Sequence, residues 1–171
     1  MQVHIVQAPI ASVTGNTQAC SGVSQSYTVI TNVTGGSYQW LVNGVGVGSN
    51  NNTYTYMPNN NDSIYCVVTA GACYSAPAAT SSTLHITVDP STTSNIAING
   101  STSVIAGTPT TYTAFTNITG GTYQWKVNNL PVGTNASTYT YIPINNDQVN
   151  CTITAPTGTC YTPNSLTSIC L

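Results

Sequence analysis

The chain has 171 residues, of which 2% are charged: Lys126 is the single cation, Arg and Glu are absent, and the acids are Asp62, Asp89 and Asp147. An ordinary soluble domain carries about 25%. Nucleic-acid binding, which needs a basic surface to displace counterions, is excluded, as is docking on anionic membranes. So few carboxylates argue against paired acid–base catalysis, and the chain is expected to be no enzyme and to hold no cofactor or metal.

No run approaches the roughly 20 apolar residues of a membrane span, so no membrane insertion is expected. The 30 Thr, 17 Ser and 19 Asn make a neutral polar surface on which little titrates. The 11 Tyr and two Trp stand at recurring places, unlike a disordered stalk.

Met1-Gln2-Val3-His4 has no basic n-region and no apolar h-region, so no signal peptide is expected. With His4 laid over His85, Val3-His4-Ile5-Val6-Gln7-Ala8-Pro9 matches Leu84-His85-Ile86-Thr87-Val88-Asp89-Pro90. Residues 1–9 therefore read as a final strand with no domain before it. Val3, His4, Ile5 and Val6 become an assembly strand expected to pair with a neighbouring copy or with an adjoining repeat of a longer array. An ordinary first strand is the alternative.

Further along, Tyr27–Ile30 is β-branched and aromatic, and Gly35-Gly36 is a turn. In 37–42, Tyr38, Trp40 and Val42 share one face. Asn43-Gly44 signals a type I′ hairpin, and its counterpart Asn128-Asn129 is a weaker signal. Thr53–Met57 alternates, 58–62 is a loop, 64–69 a strand, Ala70-Gly71 a turn, and 83–88 the last strand.

The segment from Tyr27 to Trp40 recurs from Tyr112 to Trp125, and the match runs through Asp62 and Asp147 to Cys66 and Cys151. Two repeats of this length are two small domains rather than solenoid units. The expected organisation is repeat 1 over 10–89, a linker over 90–95 and repeat 2 over 96–171. About seven strands per repeat with a Trp in the third predict an all-β chain of two tandem immunoglobulin-like β-sandwich domains.

Tyr38-Gln39-Trp40, Tyr54-Thr55-Tyr56, and Asn61-Asp62 leading to Cys66, each matched in repeat 2, resemble the PKD-like or Ig-like repeats of giant cell-surface proteins of gliding Bacteroidetes, including gliding-motility adhesins. Cys20-Ser21-Gly22 matches the family's Cys-x-Gly, and Ile105-Ala106-Gly107 departs from it. The resemblance implies extracellular stalks, adhesins and filaments without catalysis.

Six Cys in such a chain argue for an oxidising compartment. Both repeats keep two of them around a turn, which predicts Cys66–Cys73 and Cys151–Cys160 bridges. Cys20 and Cys170 have no counterparts. An interdomain bridge between them, a bridge between chains, and two free thiols all stay open. Zinc fits the cysteine spacing poorly.

Trp40 and Trp125 are expected in the core. His4 and His85 read as solvent-face residues, and Asp62 and Asp147 as corner residues that accept backbone N–H groups, with calcium as the sharper alternative. The function expected is an extracellular structural or adhesive segment of a stalk or filament, self-associating head to tail. The alternative is a carbohydrate-binding module in which exposed aromatics meet surface glycans.

Overall fold

The computed structural model describes residues 6–171, which fold into strands, turns and loops. The chain divides into two compact units, 1–90 and 91–171. Val3, His4 and Ile5 lie outside the described residues.

Unit 1 carries β1 (Ala11–Thr14), β2 (Gln18–Cys20), β3 (Gln25–Thr31), β4 (Ser37–Val42), β5 (Val45–Val47), β6 (Thr53–Tyr56), β7 (Ser63–Thr69), β8 (Ala78–Thr80), β9 (Leu84–His85) and β10 (Thr87–Asp89). Unit 2 carries β11 (Thr92–Thr93), β12 (Ile96–Asn99), β13 (Thr110–Thr116), β14 (Thr122–Val127), β15 (Leu130–Val132), β16 (Thr138–Tyr141), β17 (Val149–Thr154), β18 (Tyr161–Thr162) and β19 (Ser165–Thr167).

In unit 1 one sheet has the order β1-β3-β6. The other runs β5-β4-β7, with β8 and β9 both on the far side of β7. Unit 2 repeats this as β12-β13-β16 and β15-β14-β17-β19. Two antiparallel sheets in this order make an immunoglobulin-like sandwich.

Alternation explains the layers. Along β3 the inward residues are Tyr27 and Val29, and along β7 they are Ile64, Cys66 and Val68. A strand sends alternate side chains to opposite faces, so these meet between the sheets. Trp40 lies opposite Cys66, and Trp125 opposite Cys151; all four have 0% exposure. Gly15 and Gly100 are required where the sandwich is tightest, because a Cβ on either would fall 2.4 or 2.3 Å from the ring of Tyr27 or Tyr112. The hairpins after β4 and β14 both use left-handed residues, Asn43-Gly44 (φ 52° and 78°) and Asn128-Asn129 (φ 52° and 66°). Asn tolerates this region nearly as Gly does, so the two turns are alike despite the unequal sequence signal.

One expectation needs correction. The last strand of repeat 1 is not continuous. β9 pairs with β7, whereas β10 crosses over to pair in parallel with β2 (Val88 opposite Ala19), and the crossing residue Ile86 is 1% exposed.

Within the stretch expected as a linker, 90–95, Thr92 and Thr93 form a strand. β11 pairs in parallel with β18, and Asn117 holds this stretch through Nδ2 to Thr93 O (2.8 Å) and Oδ1 from Asn95 N (2.9 Å).

Repeat 1 shows the same device in the segment expected to serve a neighbour. Asn32 donates to Ala8 O (2.9 Å) and accepts from Ile10 N (2.8 Å), and Gln7 bridges in parallel to Tyr74 of its own unit. The exposed Val6 precedes this anchor. Gln7 is thus the counterpart of Thr92. Residues 7–10 are held on their own unit by non-local hydrogen bonds.

Replacing Trp40 or Trp125 with Ala is expected to lower the stability of its own unit by about 3–5 kcal/mol. Denaturant unfolding followed by circular dichroism measures this, with the remaining tryptophan reporting the unchanged unit. A loss below about 1 kcal/mol would contradict the core assignment.

Candidate functional site

The aromatics point inward. Trp40 stacks on Tyr54 (centroids 6.0 Å), Tyr54 on Tyr56 (5.4 Å), and Tyr56 meets Tyr27 (5.8 Å). Trp125, Tyr139, Tyr141 and Tyr112 repeat the column at 6.0, 5.2 and 5.8 Å. Each contact contributes about 0.5–1.5 kcal/mol beyond area burial. The indole N–H of Trp40 donates to Asn51 O, and that of Trp125 to Ala136 O, both at 2.9 Å. Among the aromatic side chains only Phe115 is exposed, and the tyrosines are buried or half-buried. The Tyr-Thr-Tyr segments therefore do not form the open stacking platform that sugar binding would use.

The acids fix corners. Asp62 accepts from Asn43 Nδ2 (2.7 Å) and from Asn59 N (2.8 Å), while Asn43 Oδ1 accepts from Ser63 N (2.9 Å). Asp147 likewise accepts from Asn128 Nδ2 (2.8 Å), Ile144 N (3.0 Å) and the Tyr141 hydroxyl (3.3 Å). The Ile144 amide, and then Asn128, hold the Asp147 carboxyl below the usual carboxylate range. A depressed carboxylate adds stability above its unfolded pKa, near 3.9, that is lost as pH falls through the lower folded value. Burial, and then the neighbouring Asp62 and Asp147, push the Tyr56 and Tyr141 hydroxyls up. His85 is exposed on β9. Among the described residues no three His, Cys, Asp or Glu gather as a metal site.

The cysteines correct the expected bridges. Cys66, Cys73, Cys151 and Cys170 are free thiols, and Cys20 and Cys160 are disulfide-bonded. The Cys66–Cys73 and Cys151–Cys160 hairpin bridges are not formed. Cys66 faces the core with Ser81 as its cross-strand neighbour (Ser81 N to Cys66 O, 3.0 Å), and Cys73 lies beyond the Ala70–Pro77 closure. Cys151 likewise faces Ser168, and Cys160 lies beyond the Ala155–Asn164 closure. Three or four strand residues at about 3.3 Å each exceed the roughly 7 Å Cα separation that a disulfide spans. A Cys20–Cys170 bridge is absent too, since Cys170 is exposed and its sulfur accepts from Asn150 Nδ2 at 3.5 Å. Burial pushes the Cys66 and Cys151 thiols up to about 11.

Unit 2 also has a concave feature. At one pole of unit 2 an open cleft of about 640 Å³ is bordered by 101–104, 106–107, Tyr112, 142–147 and Leu171. Val104, Ile142 and Ile144 are 39%, 54% and 73% exposed there. Sequence reasoning missed it. It was not legible because two loops far apart in the chain, 101–107 and 142–147, come together to form it.

No protein-family model matches the chain, and no curated protein does. Among solved structures it is similar to a chain in the complex of a mouse coronavirus receptor-binding domain with its murine receptor, at 14% identity and TM-score 0.53, covering 94% of this chain and 98% of that one. It is also similar to murine CEACAM1b, at 14% identity and TM-score 0.51, covering 94% and 96%. At such identities the likeness shows the fold. The chain is all-β, two tandem immunoglobulin-like β-sandwiches, with no helix among the described residues long and apolar enough to cross a membrane.

Native chain treated with a thiol reagent is expected to label quickly at Cys73 and Cys170. Cys66 and Cys151 should label only on unfolding, and Cys20 and Cys160 only after reduction. Mass spectrometry of digests reads the pattern; rapid native labelling of Cys66 would contradict the packing described.

Proposed function

We propose that the chain is an extracellular structural or adhesive segment, part of a surface stalk or filament, and that it self-associates head to tail without catalysis. The observation that carries this reading is where the chemistry-bearing groups sit. The aromatics form interior columns, the two corner acids hold turns, and the outer surface is neutral Thr, Ser and Asn. Such a sandwich presents edges and poles rather than a reaction centre. Disulfide-bonded cysteines fit an oxidising, extracellular setting. The resemblance to Bacteroidetes PKD-like adhesin repeats points the same way. Interaction domains of receptors share the fold, as the murine receptor complex illustrates.

Negative-stain microscopy of native material is expected to show fibres with an axial repeat that survive both low and high salt, since screening has almost nothing to act on. Single chains alone at high concentration, or fibres dispersed by moderate NaCl, would contradict it. Specific, saturable binding of the unassembled chain on a glycan array would favour the carbohydrate-binding alternative.

A further inference from the structure

We propose that Asn99 is an N-glycosylation acceptor, and that the exposed ring of Phe115 is the platform on which the first sugar of the attached glycan lies. The co-substrate is an oligosaccharide on a polyprenyl diphosphate carrier, with an N-acetylhexosamine at its reducing end. The inference rests on the extracellular reading above, since this transfer belongs to exported chains.

The chain holds seven Asn-x-Ser/Thr triplets. With 19 Asn such triplets arise by composition alone, and the fold separates them. Transfer needs a carboxamide nitrogen at the surface and a hydroxyl two residues on that the transferase can reach. Asn32 and Asn117 are committed through Nδ2, to Ala8 O and Thr93 O. Asn51 and Asn135 accept through Oδ1, from Thr53 N (3.3 Å) and Tyr123 N (2.7 Å). Asn150 is 7% exposed. The triplet Asn61-Asp62-Ser63 is locked, because Asp62 is 5% exposed and Ser63 donates through both N and Oγ to Asn43 Oδ1.

Asn99 differs from all of these. It is exposed at the last position of β12, and among the described residues nothing hydrogen-bonds its carboxamide. Gly100 and Ser101 lead into a stretch with no strand before Thr110, so the triplet sits where the backbone leaves the sheet. Ser101 is exposed too, and its hydroxyl makes a local bond to Ser103 O (2.8 Å) in the same exposed loop.

The surroundings supply a seat for the sugar. Asn99, Gly100, Ser101, Thr111, Thr113 and Phe115 line a hollow of about 380 Å³, within the roughly 300–1,000 Å³ of small-ligand sites. Asn99 lies opposite Thr113, and Ala97 opposite Phe115. Asn99 and Phe115 are therefore diagonal neighbours on the outer face of the sheet, about 7–8 Å apart. Phe115 is 57% exposed, and Ala97 across from it is too small to cover the ring. A pyranose has a face of C–H groups, and laying that face on the ring takes apolar surface out of water. Unit 1 has Thr14, Asn16 and Ile30 at the counterparts of Asn99, Ser101 and Phe115. The glycine alone is kept, as Gly15, because the core tyrosine requires it. Acceptor, hydroxyl and ring thus occur together in unit 2 and are missing together in unit 1.

The step forms a bond between Asn99 Nδ2 and the anomeric carbon and breaks that carbon's bond to the diphosphate oxygen. The polyprenyl diphosphate leaves with the electron pair, and the amide proton is released.

The test is chymotryptic peptide mapping by mass spectrometry of native chain recovered from the outside of the cells that make it. A glycan based on N-acetylhexosamine is expected on the peptide that holds Asn99. Asn99→Gln and Ser101→Ala should each abolish it, and Ser101→Thr should retain it. Ring protons of Phe115 should show nuclear Overhauser contacts to the first sugar; a glycan at Asn99 without them would overturn the platform. Extracellular chain with Asn99 unmodified would overturn the acceptor and leave the extracellular reading standing. Chain found only inside the cell would sink both.

Discussion

The structure depends on a buried indole whose one polar atom must be satisfied. Trp40 and Trp125 are fully enclosed between their sheets, and a buried N–H without a partner would cost about 1–3 kcal/mol. Each instead donates to a carbonyl in the loop before the next strand, at Asn51 or Ala136. That bond pins the loop, and the pinned loop delivers the Tyr-Thr-Tyr strand so that its rings stack on the indole. The column ends on Tyr27 or Tyr112 in the same sheet, against the glycine that the tight approach requires. A chain with 2% charged residues has little ionic stabilisation available, so packing and backbone hydrogen bonds hold these units.

The same frame ends differently in the two units. In unit 1 the strand after β9 leaves its sheet at Ile86, crosses the pole and seals it against β2. In unit 2 the corresponding pole is open and lined by Val104, Ile142 and Ile144.

Much of the fold was legible in the sequence. The repeat, the third-strand Trp and the alternation along 37–42 and 64–69 define the sandwich, since each is a local pattern with a period of two. What was not legible rests on non-local contacts. β1, β2 and β8 are three or four residues long, too short for alternation to stand out. The cysteine pairing failed because spacing cannot tell which face of a strand a thiol takes. The anchoring of residues 7–10 was not legible because Asn32, more than twenty residues away, makes it.

Hydrogen–deuterium exchange resolved to single amides, in a Trp40→Phe variant, tests the central claim that the indole N–H pins the loop before the Tyr-Thr-Tyr strand. Phe keeps a ring in the core and leaves Asn51 O without its donor. The account predicts faster exchange at Val29, whose N–H is bonded to Asn52 O in that loop, and an unchanged rate at its counterpart Ala114, bonded to Ser137 O. Exchange at Val29 as slow as in the unsubstituted chain would contradict it.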